Sequence, residues 1–388
     1  MLFYGYSTGI FSSRKLEHSS YDSVAMRFVC GNYHPDHDSI ATFRKRFIEE
    51  LDDLFVQILL VAQQMGFAKV GNVNIDGTKI QANASRHHAM SYERIKKLEI
   101  LLKEEVSKLL EIAEQTDEAE VGLDIPAEIE RREDRLEKLK EAKSVLEHRA
   151  KERYEEEKEI YDKKMIERSE REKQTGNKPK GRTPKPPEQE PSKKDQYNFT
   201  DSESRIMKTS KGFDQCYNGQ AAVNDEMLIV GALANAHCND KEELIPLLDK
   251  IDESLGTVEN VAADTGYYSQ RNIEQTKSRN IEPYLVTGRE KHNQWLEKKL
   301  AKGDSEQDSV EVLDVKEQMR QKLKADKGKE IYRKRKMTVE PVFGIIKEIM
   351  GFRRFSLRGE EKIKGEWILV CSAYNLKRLF NLQSRRVA

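Results

Sequence analysis

An excess of charge of either sign is missing: 68 Lys and Arg balance 68 Asp and Glu across 388 residues. Net charge is therefore silent about a polyanion partner, and only local charge can speak. Cysteine is sparse. Cys30, Cys216, Cys238 and Cys371 are scattered without a C-x-x-C pair, which argues against a zinc site and reads as reduced, buried thiols of an intracellular protein. No apolar run reaches about 18 residues and no signal peptide precedes the fold, so the expected compartment is the cytoplasm, with no membrane partner. A G-x-x-x-x-G-K-S/T loop is also absent, and no nucleotide cofactor is expected. What remains is a chain long enough for two domains and at least one sizeable core.

Four stretches differ in pattern. Residues 1–66 read as a helical domain. Ile40, Phe43, Phe47, Leu51, Leu54 and Ile58 form one apolar stripe, with Asp38 and Ser39 as N-cap candidates and Gly66 as a stop. Arg44, Lys45 and Arg46 lie off the stripe, facing either a phosphate backbone or solvent. Residues 67–93 hold a β-branched strand (Val70, Val73, Ile75, Thr78, Ile80) that carries Asp76. Residues 94–194 form an insertion. Ile95, Leu98, Leu102, Leu109 and Ile112 make a heptad-like seam that Leu136, Leu139 and Leu146 continue, and TGNKPKGRTPKPPEQEPSKK holds five of the ten prolines. This reads as a long antiparallel helical hairpin with an extended return. Residues 195–388 alternate strand and helix: YNGQAAVN, MLIVGALANAH, a helix over DKEELIPLLDKIDESL, VENVAADTGYYS, QRNIEQTKSRN, IEPYLV and two closing amphipathic helices. The fold class is α/β, a mixed sheet flanked by helices.

Asp76 and Asp264 each stand at or just after an apolar strand, with a glycine one or two residues on that lets the loop turn away. A carboxylate so placed is costly to bury without a compensating cation, although Asp-Gly and Asp-Thr-Gly are also ordinary turn chemistry. Glu340 is expected at a helix start, with Thr338 as N-cap, Pro341 in the first turn and Lys347 two turns on. Ahead of it runs Tyr332, Arg333, Lys334, Arg335 and Lys336. From Tyr332 to Ala388 there are 14 basic and 5 acidic residues, a strip that suits either a polyanion or the acidic hairpin. His34-x2-His37 is a metal pair without a third ligand, and His87-His88 a polar loop. Trp367, Val370, Tyr374 and Leu376 are expected in the core.

NIDGTKIQANAS, YNGQAAVN, ADTGYYS and TVEPVFGIIKEIMGFRRFSLRG resemble, in this order, the blocks of bacterial insertion-sequence transposases of the DDE superfamily, and YGYSTGIFSSRKLEHSSYDSVAMRF resembles their N-terminal helical domain. The resemblance spans nearly the whole chain. It implies an RNase H-like core, with Asp76, Asp264 and Glu340 as the catalytic, metal-holding acids. It also implies two Mg²⁺ per site (Mn²⁺ substituting), double-stranded DNA as partner and a homodimer on that DNA. Tyr332, Arg335, Lys336, Lys347, Arg353 and Arg354 become DNA-binding residues, with Tyr267 or Tyr268 stacking on an unpaired base. Many relatives space tyrosine, arginine, glutamate and lysine as Y-x2-R-x3-E-x6-K. Here one extra residue precedes Glu340, so either Lys336 replaces the arginine or the turn is looser. Relatives also carry further residues ahead of the YGYSTG block, so the resemblance implies a shortened N-terminus as one expectation. Three other readings stay open: a catalytically impaired remnant, an RNase H-like nuclease that never joins, and a DNA-binding or coiled-coil scaffold.

Overall fold

The computed structural model describes residues 1–48, 50–115, 124–175, 183–210, 212–288 and 315–387. They fall into two compact units, Met1–Ala84 with Glu203–Ala388, and Ser85–Ser202.

The first unit begins with helices α1 (Leu2–Ser7), α2 (Ser13–Asp22), α3 (Val24–Val29), α4 (His37–Arg46) and α5 (Glu50–Gln64). The single stripe expected across residues 40–58 is thus carried by two helices. The cap of α4 is Asp36, whose carboxylate accepts from the Ser39 amide at 2.8 Å, rather than Asp38 or Ser39. Phe43 and Leu54 stay exposed, while Gly66, at φ +81°, follows α5 in a conformation that costs a glycine little.

Among the described residues six strands make the main sheet: β1 (Asn72–Gln81), and after the second unit β4 (Arg205–Thr209), β5 (Gly212–Val223), β6 (Ile229–Asn235), β7 (Asn260–Ala263) and β8 (Glu282–Leu285). The path is β4-β5-β1-β7-β8, with β6 also on β5. Pairs β1–β5, β4–β5 and β5–β6 are antiparallel, and β1–β7 and β7–β8 are parallel. The helix expected over residues 240–255 is one short α8 (Leu244–Leu248) between 3-10 turns. After α9 (Gln270–Ser278), the chain ends in α10 (Val315–Lys324), α11 (Asp326–Gly344), a π-helical stretch (Ile345–Ile349) and α12 (Glu360–Val387).

Side-chain bonds fix α12 to the sheet: Trp367 Nε1 donates to the Gln220 carbonyl at 3.0 Å, and Asn375 brackets Ile229 through both its N–H and C=O. Trp367, Val370 and Tyr374 are buried as expected, but Leu376 is exposed. Cys216 and Cys371 are buried, Cys30 is half-buried and Cys238 exposed, so only two of the four thiols match the expected burial.

In the second unit β2 (Ala89–Ser91) pairs antiparallel with β3 (Gln196–Asn198), and α6 (Tyr92–Gln115) packs on α7 (Ile125–Thr175). Its core is Tyr92, Ile95, Leu102, Leu136, Leu139, Ala142, Leu146 and Tyr197. Ion pairs Glu99–Lys143 at 3.0 Å and Arg132–Glu105 at 2.8 Å run the two helices antiparallel. Part of the proline-rich return, residues 176–182, lies outside the described residues, as does most of the charged 287–330 stretch. Among the described residues no helix is long and apolar enough to cross a membrane.

Candidate active site

Strands β1 and β7 run parallel with Asn74 opposite Ala262. Two residues further along each chain stand Asp76 and Asp264, so the pleat aims both carboxylates at one face of the sheet. Helix α11 covers that face, with Ile331 packed on Ala262 and Tyr284. One turn beyond Ile331, on the same inward stripe, comes Arg335.

Arg335 is 5% exposed and its guanidinium is the meeting point of the three acids. Nη2 lies 3.0 Å from Asp76 Oδ2 and 3.9 Å from Asp264 Oδ2, Nη1 lies 3.4 Å from Glu340 Oε1, and Nε donates to the Ile75 carbonyl at 3.4 Å. The acids are progressively more open: 20% for Asp76, 44% for Asp264 and 51% for Glu340. Asp76 is pushed up to about 6, chiefly by burial. Arg335 opposes the shift, and the negative charges of Asp264 and Glu340 add to it.

Two expectations about backbone position are corrected. Glu340 does not start a helix, because α11 runs from Asp326 to Gly344 with Pro341 inside it. Ile331, Arg335, Thr338, Val339 and Val342 continue one buried stripe, and that burial carries the helix past the proline. Thr338 is accordingly no cap; its hydroxyl donates to the Lys334 carbonyl at 2.9 Å. Nor does Gly77 turn the chain after Asp76, since β1 continues and pairs Gly77 with Gln220. The glycine supplies room: a Cβ there would stand 2.4 Å from Gln220 Nε2 and 2.9 Å from Asp240 Oδ1. Asp264 does sit at a turn, where its Oδ1 accepts from the Gly266 amide at 2.8 Å.

The basic residues separate by position. Arg335, and not Lys336, reaches the acids; Lys336 is exposed with Nζ 5.7 Å from the centroid of the half-buried Tyr332 ring. Lys347 donates to the Lys79 carbonyl at 3.0 Å, and burial lowers its pKa. Arg353 pairs with Glu348, and Arg354 donates to the Ala82 carbonyl at 3.2 Å and to Asn83 Oδ1 at 3.1 Å; both stay exposed. Tyr267 is fully buried and donates to Gln220 Oε1, so a base cannot reach its ring, whereas Tyr268 is half-buried. Arg44 is buried too, donating to Tyr6 Oη at 2.9 Å, and is removed from the phosphate candidates. His34 stacks on Tyr21 and His37 binds Glu17 at 2.7 Å.

Sequence reasoning missed Asp240. Its Oδ1 accepts from Lys79 Nζ at 3.1 Å, Asn218 Nδ2 at 2.6 Å and Gln220 Nε2 at 2.8 Å. This cluster backs β1 on the face away from Asp76. The signal was there in polar Asn218 and Gln220, two residues apart and so on one face of β5.

Among the described residues no three His, Cys, Asp or Glu side chains already converge as a metal cluster. The three acids are gathered around a cation nonetheless, and an all-oxygen carboxylate set is the kind that hard divalent ions take. The donor chemistry fits such an ion.

Among known families, a model described as "Transposase DDE domain" matches residues 160–376, more than half of the chain. A second, "Transposase domain (DUF772)", matches residues 1–46. The first range takes in Asp264, Arg335 and Glu340 but begins after Asp76. No curated protein and no solved structure matches.

Proposed function

Because the chain belongs to the transposase DDE-domain family, whose fold is RNase H-like and whose members process DNA with divalent metal ions, we propose that Asp76, Asp264 and Glu340 are the catalytic acids of a DNA transposase that cleaves its element's ends and joins them to target DNA. One observation carries this reading: three acids from β1, the β7 terminus and α11, remote in sequence, close on a single buried guanidinium.

Asp76 and Asp264, fixed by neighbouring strands, and Glu340, presented from α11, would hold the metal. Two Mg²⁺ ions, when bound, supply Lewis-acid polarisation of the scissile phosphate and acidification of a water. The residues' own part is positional. Lys336, Arg353 and Arg354 are exposed cations and contact phosphates of double-stranded DNA, while the half-buried Lys347 is held on the Lys79 carbonyl of β1. Tyr332 carries two cations over its ring, Arg335 and Lys336, and so orients both. Cleavage frees a 3′-OH, and the same carboxylates serve when that hydroxyl attacks the target strand. Two ends processed together call for two copies of the chain on the DNA.

The test uses a supercoiled plasmid carrying the coding sequence with its own flanking DNA, incubated with Mg²⁺ and either wild type or Asp264→Asn. Wild type is expected to give cut and joined products. The variant is expected to lose at least about a hundredfold in cleavage while its gel-shift binding persists. A fully active variant sinks the assignment. Cutting without joined product by wild type would favour a nuclease, and inactivity on every substrate an impaired remnant.

A further inference from the structure

We infer that Arg335 is the resident counter-ion of this carboxylate site and gives way to divalent cations only when DNA phosphate draws its guanidinium off, so that DNA and metal load the site together. The inference rests on the proposed function above and adds a role for Arg335 before any DNA is bound.

The geometry gives the reason. Among the described residues, every ion pair made by Asp76, Asp264 or Glu340 is made with Arg335. The neighbouring cations are engaged elsewhere: Lys79 with Asp240, Lys334 with Asp225, and Lys347 with a backbone carbonyl. Three carboxylates around one point repel one another, and the least exposed of them, Asp76, has the least water to screen the repulsion. Arg335 relieves this repulsion with a positive charge placed among the three. A divalent ion entering the same point would stand against a guanidinium held within 4 Å of all three acids, so the two cations exclude each other.

Titration cannot vacate the position, because a guanidinium stays charged at any physiological pH. An anion can. A phosphate oxygen pair accepts the guanidinium fork as a carboxylate does. The side chain also has a foothold toward solvent, since its Cζ already lies 6.0 Å from the centroid of the half-buried Tyr332 ring. DNA that binds only the arginine-out state must raise metal affinity, and metal must raise DNA affinity by the same factor.

Mn²⁺ binding, followed by the electron paramagnetic resonance of the free ion, reads this without any turnover. The probe is Mn²⁺ titrated into the full chain with and without a duplex of its own flanking DNA. Wild type is expected to bind Mn²⁺ at least about tenfold more tightly with the duplex. Arg335→Gln is expected to bind it tightly without DNA and to change by less than about twofold when DNA is added. Lys334→Gln, which removes a neighbouring charge that pairs with Asp225, is expected to behave as wild type. Equal Mn²⁺ affinity in wild type with and without DNA overturns the inference, and this arm needs no variant to fold. So does a Lys334→Gln response matching that of Arg335→Gln, which would reduce the effect to general charge. Should Asp264→Asn bind Mn²⁺ as wild type does, the carboxylate site itself is misassigned, and the failure belongs to the proposed function instead.

Discussion

Glu243 is buried, and the imidazole of His237 meets its carboxylate at 2.6 Å between Nδ1 and Oε1. The hydrogen bond to that carboxylate raises the His237 pKa above the ordinary 6.5. A histidine raised in the fold adds stability that is fully present below its unfolded value and is lost as pH rises through the folded one. The melting-temperature gap between wild type and His237→Gln should therefore be widest near pH 6 and close at higher pH, checked by differential scanning fluorimetry. Solvent at the ring keeps the effect under about 1 kcal/mol. A gap that widens with pH would contradict the pairing. At this scale sequence spacing is a poor guide to orientation. Arg44 and Arg335 both sit in runs of basic residues that read as candidates for phosphate, yet both are buried by neighbours from distant segments. No local pattern announces that Tyr6 or Asp76 will be waiting for them.

Among the elements, α11 decides most about the site, and its approach to α10 is unusually close. A Cβ on Gly328 would lie 2.1 Å from the Lys322 carbonyl oxygen and 2.9 Å from the Leu323 Cα, both backbone atoms that cannot swing aside. Gly328→Ala is expected to push the two helices apart and to cost about 1–3 kcal/mol or more, as overpacking does. Guanidinium unfolding followed by tryptophan fluorescence measures this, and an unchanged midpoint would mean that the helices are not in contact there. Strands β1, β5, β6, β7 and β8 and helix α9 were legible because their apolar runs are short, β-branched or cleanly periodic. The start of α11 was not. Pro341 and Thr338 carry strong local signals for a helix start, and tertiary burial of Ile331, Arg335, Val339 and Val342 overrides them.

At the scale of the molecule, residues 85–202 have a hydrophobic core of their own. That segment, expressed alone, is expected to be strongly helical by circular dichroism and to melt cooperatively. Leu139 lies in its core, so Leu139→Ala should cost about 2–5 kcal/mol there. Both tryptophans, Trp295 and Trp367, lie outside the segment, so in the full chain their fluorescence transition should not move with Leu139→Ala. A shift of that transition would show that the two units unfold as one.

The order of strands and helices, the amphipathic pairing of α6 with α7 and the choice of Asp76, Asp264 and Glu340 as candidates all come from the sequence by itself. Periodicity, turn chemistry and block order are local properties that need no third dimension. Only the tertiary structure decided that Asp76 lies within a strand that runs on past it, that Gly77 provides room rather than a turn, and that Arg335 fills the centre of the three acids while Asp240 supports the strand from behind. Those facts depend on which side chains face each other across elements far apart in the chain, and that is set by how the sheet pairs and how α11 crosses it.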